Sequence, residues 1–187
     1  MDGKEPNRLD HVLNKALQVF LQYGYRKTSV EDIAKAAGIS RQGLYLHFKN
    51  KDEILGAAVR RSADDGLQTA DAVLGDTNLG LEEKLLKCLN LWFGRHAGRL
   101  GVETSDLAPH CERILGDFVK RGDLSFQKRI ERTVLDLGKS VNSLDKQATA
   151  IAEILCACGL HWKHVLPSTQ EFQEKMRETI DFCCRDR

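Results

Sequence analysis

Residues 28–51 read TSVEDIAKAAGISRQGLYLHFKNK and decide the fold of the first part of the chain. Ser29 is placed to N-cap a short helix, with Asp32 three residues later completing a weak capping box. Gly38 supplies the left-handed residue that ends such a helix, and Ser40 can cap a second helix directly after it. Two short helices joined by so tight a turn are typical of a helix-turn-helix.

The second of these helices has the composition of a DNA-reading helix. Burial of Leu44 and Phe48 leaves its other side chains free to contact bases or phosphates. An ordinary helical hairpin in a protein core is the alternative. We predict DNA contacts at Lys27, Thr28, Ser29, Ser40, Arg41, Gln42, Gly43, Tyr45, Leu46, His47 and Lys51.

Individual roles follow from side-chain chemistry. Arginine bonds bidentately to guanine and glutamine to adenine, so Arg41 and Gln42 are the predicted base readers. Gly43 lets the backbone approach the duplex, and Leu46 either contacts a thymine methyl or is merely exposed to solvent. His47 is assigned to phosphates or groove walls, and the backbone amides at residues 27–29 favour a phosphate.

The residues IAKAAGIS (33–40), LYLHFKNK (44–51) and EIL (53–55) resemble the DNA-binding region of the TetR (tetracycline-repressor) family of bacterial regulators, over about residues 8–61. The resemblance implies backbone contacts by Tyr45 and Lys51, a homodimer, and a small molecule whose binding in the body moves the fourth helix. The predicted function is therefore a sequence-specific DNA-binding transcriptional regulator, a repressor that the ligand releases from a palindromic operator.

The periodicity of apolar residues predicts an all-α chain. An N-terminal three-helix helix-turn-helix DNA-binding domain occupies residues 1–50 and continues into a linking helix from 51. A helical regulatory, ligand-binding and dimerisation domain occupies residues 51–187. Within it, the pattern predicts one helix over 105–122 and another from 125.

Charge is divided unevenly along the chain, whose formal net charge is +1. Residues 1–61 hold 11 Lys/Arg and 7 Asp/Glu, an excess that agrees in sign with phosphate contact. The composition and the lack of a long apolar run exclude collagen-like, disordered and membrane-spanning chains. The polar N-terminus lacks a hydrophobic signal segment, so we expect a cytoplasmic protein.

The resemblance also implies a ligand pocket in the body. Apolar side chains with few polar groups among them suit such a pocket, although each of these side chains could instead be part of the protein core. We expect a mostly apolar ligand, because the sequence shows no charged cluster on an otherwise apolar face. The candidate pocket residues are Trp92, Phe93, His96, Phe118, Phe126 and Trp162.

The last two predicted helices carry more apolar surface than one subunit needs. A terminal helical hairpin of this kind suits a four-helix dimer interface, with burial in the subunit's own core as the alternative. The predicted interface residues are Ile154, Ala157, Cys158, His161, Val165, Phe172, Met176 and Ile180.

Six cysteines leave a second interpretation open, a thiol- or metal-responsive regulator that uses Cys111, Cys156 or Cys158 as its sensor. A metal site formed by Cys156, Cys158, His161 and His164 is disfavoured, because on one helix Cys156 and Cys158 point about 200° apart and the four side chains cannot converge on one ion. No nucleophile-base motif, phosphate loop or HExxH sequence is present, so no enzyme and no cofactor are predicted.

Overall fold

A computed structural model describes residues 8–100, 104–138 and 147–184. Over these ranges the chain is helical and contains no β-strand, which confirms the predicted fold class. The helices are α1 (Arg8–Lys27), α2 (Val30–Ala36), α3 (Arg41–Tyr45), α4 (Lys51–Gly75), α5 (Leu81–Trp92), α6 (Leu107–Leu115), α7 (Phe118–Gly138), α8 (Ala148–Val165) and α9 (Thr169–Cys184), with a 3-10 turn at Gly94–His96.

The described residues form two compact units. Unit 1 takes those within 1–65 and 101–119, and unit 2 takes those within 66–100 and 120–187. The N-terminal unit is thus larger than residues 1–50 alone, because it also includes the start of α4 and the whole of α6, which packs against α1.

Unit 1 is built around the apolar faces of its helices. Phe20, Ile33, Leu44, Ile54 and Leu55 are fully buried. The helical path of α1 breaks at Gly24 (φ 78°), a backbone conformation that glycine adopts without steric cost. The last residues of α1 therefore turn towards α2.

Unit 2 packs α5, α8 and α9 together, with the 3-10 turn between them. Its fully buried side chains include Leu85, Leu89, Phe126, Leu155 and Phe172. In the described part of the chain, no helix combines the length and apolar character needed to cross a membrane.

The prediction of one helix over 105–122 was wrong. The chain forms α6 and α7 with a break at Gly116, whose φ of 54° lies in the left-handed region. A helix cannot continue through that conformation, so α7 starts at Phe118, earlier than the predicted residue 125.

Candidate nucleic-acid interface

The helix-turn-helix is closed by local hydrogen bonds. Ser29 Oγ accepts from the Asp32 amide at 3.1 Å, and Asp32 Oδ2 accepts from the Ser29 amide at 2.9 Å. The Ser29 hydroxyl also donates to Asp32 Oδ2 at 2.6 Å, and this bond, followed by the one from the Ser29 amide, lowers the pKa of the Asp32 carboxyl. Gly38 has a φ of 67°, and Ile39 N–H bonds back to Ala34 O at 3.0 Å. The capping box and the glycine C-cap predicted from the sequence are both present.

Helix α3 is anchored on one face and open on the other. Ser40 Oγ accepts from the Gly43 amide at 2.9 Å, a cap that contributes about 1 kcal/mol to a helix. Leu44 and Phe48 are buried, and Gly43 is half-buried. The solvent-exposed residues of this segment are Ser40, Arg41, Gln42, Tyr45, Leu46 and His47.

Arg41 is oriented by its neighbour one turn later. Its Cζ atom lies 5.5 Å from the centroid of the Tyr45 ring, and a side-chain hydrogen bond to Tyr45 raises the pKa of the guanidinium. Such a stack restricts the rotamers of a long side chain before it meets a base. Leu46 is 80% exposed, so either of its predicted roles is open to it.

Lys51 has an intramolecular role that the sequence did not reveal. Its Nζ donates to the carbonyl oxygens of Tyr25 and Thr28, both at 2.8 Å, and lies 4.1 Å from the centroid of the Tyr25 ring. Burial lowers the pKa of this ammonium. A lysine in the first turn of α4 is thus explained without a phosphate, and its predicted DNA contact stays a prediction.

The segment before α2 is the one in which the sequence predicts a phosphate contact. Thr28 is 2% exposed and its hydroxyl donates to Gly24 O at 2.6 Å, which leaves little of this residue accessible to a phosphate. The Ser29 amide is already bonded to Asp32. Lys27 is exposed at the end of α1.

A polar cluster that the sequence did not indicate joins α6 to this segment inside unit 1. Asp106 accepts from the amides of Tyr25 at 3.0 Å and Arg26 at 2.8 Å. The Tyr25 hydroxyl donates to Asp52, and burial together with this bond raises the pKa of Tyr25 to about 12. The His110 ring stacks on Tyr25 with centroids 3.9 Å apart. Residues about 80 apart in sequence thus fix the end of α1.

The predicted pocket residues are divided by the fold. In unit 2 the Trp92 ring stacks on Phe126 at 4.9 Å, and Phe93 meets Phe126 edge-on at 5.7 Å, so these three rings pack on one another as core. Trp162 is half-buried in unit 2. Phe118 belongs to unit 1, where Arg60 lies over its ring.

His96 differs from the aromatic side chains with which it was predicted. Arg95 Nε donates to its Nε2 at 3.1 Å, and its Nδ1 is buried without a hydrogen-bond partner in the described structure. Burial, followed by the charge of Arg95, lowers its pKa to about 3. An unsatisfied buried polar group of this kind costs about 1–3 kcal/mol.

The predicted dimer surface needs one correction. Phe172, Met176 and Ile180 are completely buried inside their own subunit, because the apolar stripe of α9 packs onto α5 and α8, and they cannot meet a second chain. The predicted α8 residues lie at the surface: Ile154, Ala157, His161 and Val165 are exposed and Cys158 is half-buried. Phe182, which the sequence reading missed, is 71% exposed near the end of α9.

The thiol-sensor alternative finds no support. Burial raises the pKa of Cys111 to about 11 and of Cys156 to about 12, and it also raises that of Cys158. Because the thiolate is the reactive form, these cysteines are poor sensors at neutral pH. No cluster of three or more metal-ligating side chains occurs among the residues that the structure describes.

Comparisons with known proteins agree with this geometry. Residues 12–58 match the family described as bacterial regulatory proteins, tetR family. The chain is similar to the HTH-type transcriptional regulator AcrR of Shigella flexneri, with 48% identity over 44 residues, which cover 24% of this chain and 20% of that protein. It is also similar to the HTH-type transcriptional repressor DhaR of Mycobacterium sp. (strain GP1), with 32% identity over 69 residues, 37% of this chain and 35% of that protein.

The similarity of the whole chain is one of fold. A TetR transcriptional regulator from Legionella pneumophila superposes with a TM-score of 0.67 at 16% identity, over 97% of this chain and 100% of that chain. The sequence matches to the two curated relatives cover about a third or less of their length.

Proposed function

We propose, from the match of residues 12–58 to the tetR family of bacterial regulatory proteins, that the chain is a sequence-specific transcriptional repressor. The observation that supports this most directly is the open face of α3. Its polar side chains are exposed, while Leu44 and Phe48 hold its other face in the core. A repressor of this design covers promoter DNA in the bacterial cytoplasm.

Base reading is assigned to the start of α3. Arg41, stacked on Tyr45, recognises guanine in the major groove, and Gln42 recognises adenine. Tyr45, His47 and the third N–H of Lys51 are assigned to the DNA backbone, which positions the helix without reading sequence.

Two copies of the chain bind one operator. Ile154 (48% exposed) and Val165 (55% exposed) share one side of α8 with Cys158 and His161, and an apolar strip of this kind suits the same strip of a second subunit. A symmetric dimer requires a near-palindromic operator with half-sites about one helical turn apart. A small molecule held by the body then shifts the balance between DNA-binding and released forms.

The DNA-reading assignment is tested by selecting binding sites from random duplexes with the full-length protein. A near-palindrome is expected, and Arg41→Ala should relax one position in each half-site at a cost of about 1–3 kcal/mol. Arg132→Ala removes an arginine that is 84% exposed in unit 2 and serves as the matched control. Failure to prefer any sequence would contradict the proposal.

The dimer is tested by sedimentation equilibrium. Ile154→Glu should shift the protein to monomers and weaken operator binding, because it places a charge on the apolar strip. Leu124→Glu, at a residue 50% exposed on α7, should leave the dimer intact. A wild-type chain that is monomeric at micromolar concentration would contradict this part of the proposal.

A further inference from the structure

Basic side chains from two distant parts of the sequence meet in unit 2. The 3-10 turn Gly94–His96 packs against α8, which carries Lys163. Lys163 Nζ lies 5.5 Å from the centroid of the buried Phe93 ring. The charges of Arg95, Lys163 and further basic groups all act on the His96 ring. We call His96, Arg95 and Lys163 the basic cluster.

His96 presents an unused hydrogen-bond donor. Arg95 Nε donates to its Nε2, so the proton of the neutral ring is on Nδ1. That Nδ1 is buried and has no partner in the described structure. Burial and the surrounding positive charges hold the pKa of His96 at about 3, so the ring is neutral and its donor lacks an acceptor.

Lys163 is a half-buried cation. In the described ranges no ion pair within 4.0 Å joins its Nζ to a carboxylate. Asp123 is the acidic group whose charge acts on it, and this carboxylate already accepts from Trp92 Nε1 at 2.8 Å. Partial burial of Lys163 lowers the pKa of its ammonium. A partly buried cation attracts an added anion more strongly than a cation in water does.

We propose that the basic cluster binds the carboxylate of an organic acid, whose apolar part packs against the neighbouring aromatic side chains of unit 2. The carboxylate accepts from His96 Nδ1 and pairs with Lys163. This inference deepens the proposed function. Only the role of the acid as the effector rests on that function. An organic acid replaces the mostly apolar ligand expected from the sequence, because the fold brings together the charges of Arg95 and Lys163, which lie 68 residues apart in the chain.

The test measures binding of four acids to the full-length protein by calorimetry. The probes are octanoate, laurate, phenylacetate and benzoate, each compared with the neutral alcohol or amide of the same skeleton. At least one acid should bind saturably and about tenfold or more tightly than its neutral counterpart. Saturable binding of none of the acids, or equal binding of acid and neutral compound, would overturn the proposal.

Variants locate the site. Lys163→Met keeps the aliphatic stem over Phe93 and should lower acid affinity about tenfold without changing that of the neutral compound, whereas Lys163→Arg should retain acid binding. His96→Gln should also weaken acid binding. Lys175→Met, at an exposed lysine of α9 paired with Glu178, is the matched control. If His96→Gln does not fold, the test depends on Lys163→Met. Unchanged acid affinity in Lys163→Met would contradict the assignment of the carboxylate site to the basic cluster.

Operator binding is measured separately, so that the two proposals can fail independently. The acid should weaken binding to the selected operator in wild type but not in Lys163→Met. Acid binding that leaves operator affinity unchanged overturns the role as effector, while the carboxylate site stands. A protein with no sequence preference in the selection experiment contradicts the proposed function, and the calorimetry still decides the site.

Discussion

Replacing Lys51 by methionine separates a structural role from a DNA contact. The substitution keeps the aliphatic stem and removes the ammonium that bonds to Tyr25 O and Thr28 O. Each hydrogen bond to a charged group contributes about 1.5–3 kcal/mol, and the contact with the Tyr25 ring adds about 0.5–1 kcal/mol. Because the ammonium is partly desolvated, some of this is offset. We expect a net loss of about 2 kcal/mol in the free energy of unfolding.

The assay is urea unfolding followed by circular dichroism, together with hydrogen exchange of the amides at the end of α1. A loss of about 2 kcal/mol corresponds to roughly 4–8 °C in melting temperature for a chain of this size. Operator affinity is measured as a function of salt, where one lost phosphate contact reduces the slope by about 0.9. Lys49→Met is the control, because that lysine is exposed and only its backbone N–H is bonded.

A small change in stability would refute the structural role of Lys51. If Lys51→Met unfolds within about 0.5 kcal/mol of wild type, the bonds to the end of α1 do not stabilise the domain. If that variant also loses one unit of salt slope, its lysine is a phosphate contact alone. A loss of both stability and slope would mean that one side chain serves both purposes.

Three further outcomes follow from buried groups and tight backbone. His96 takes up a proton near pH 6.5 in the unfolded chain but only near pH 3 in the folded chain. The free energy of unfolding should therefore fall as the pH drops below 6.5, by up to about 1.4 kcal/mol per pH unit. Urea unfolding midpoints at successive pH values should fall less steeply in His96→Gln than in the wild type. Gly98→Ala should cost more than about 2 kcal/mol in thermal melts, since φ is +74° and a Cβ would lie 2.3 Å from Pro167 O, whereas Gly75→Ala meets nothing within 4 Å and should be tolerated. Burial raises the pKa of three thiols to about 12, those of Cys88, Cys156 and Cys184. These thiols should react with a disulfide reagent only after unfolding, as measured by thiol titration with and without urea.

The helix-turn-helix was predictable because each of its signals is local. Ser29 and Asp32 satisfy each other across one turn, and Gly38 and Ser40 act on their immediate neighbours. The burial of Leu44 follows from helical spacing alone. No tertiary information was needed for these residues.

Contacts between distant segments escaped the sequence reading for the opposite reason. The apolar stripe of α9 was recognised, but a stripe does not say whether its own subunit or another covers it, and Phe172 is covered by its own. The basic cluster was missed because Arg95 and Lys163 become neighbours only when the 3-10 turn meets α8. The same holds for Asp106, whose partners lie on α1.

The end of α1 is held by two other segments of unit 1, and this determines how the DNA-binding segment can respond. Lys51 of α4 bonds to the carbonyls of Tyr25 and Thr28, while Asp106, at the start of α6, bonds to the amides of Tyr25 and Arg26. The backbone that leads into α2 is therefore bonded on both its donor and its acceptor side. In the chain, α6 lies between two stretches that belong to unit 2. A displacement of α6 would have to break charge-assisted bonds to this backbone or carry it along, so the backbone that leads into α2 is mechanically tied to α6.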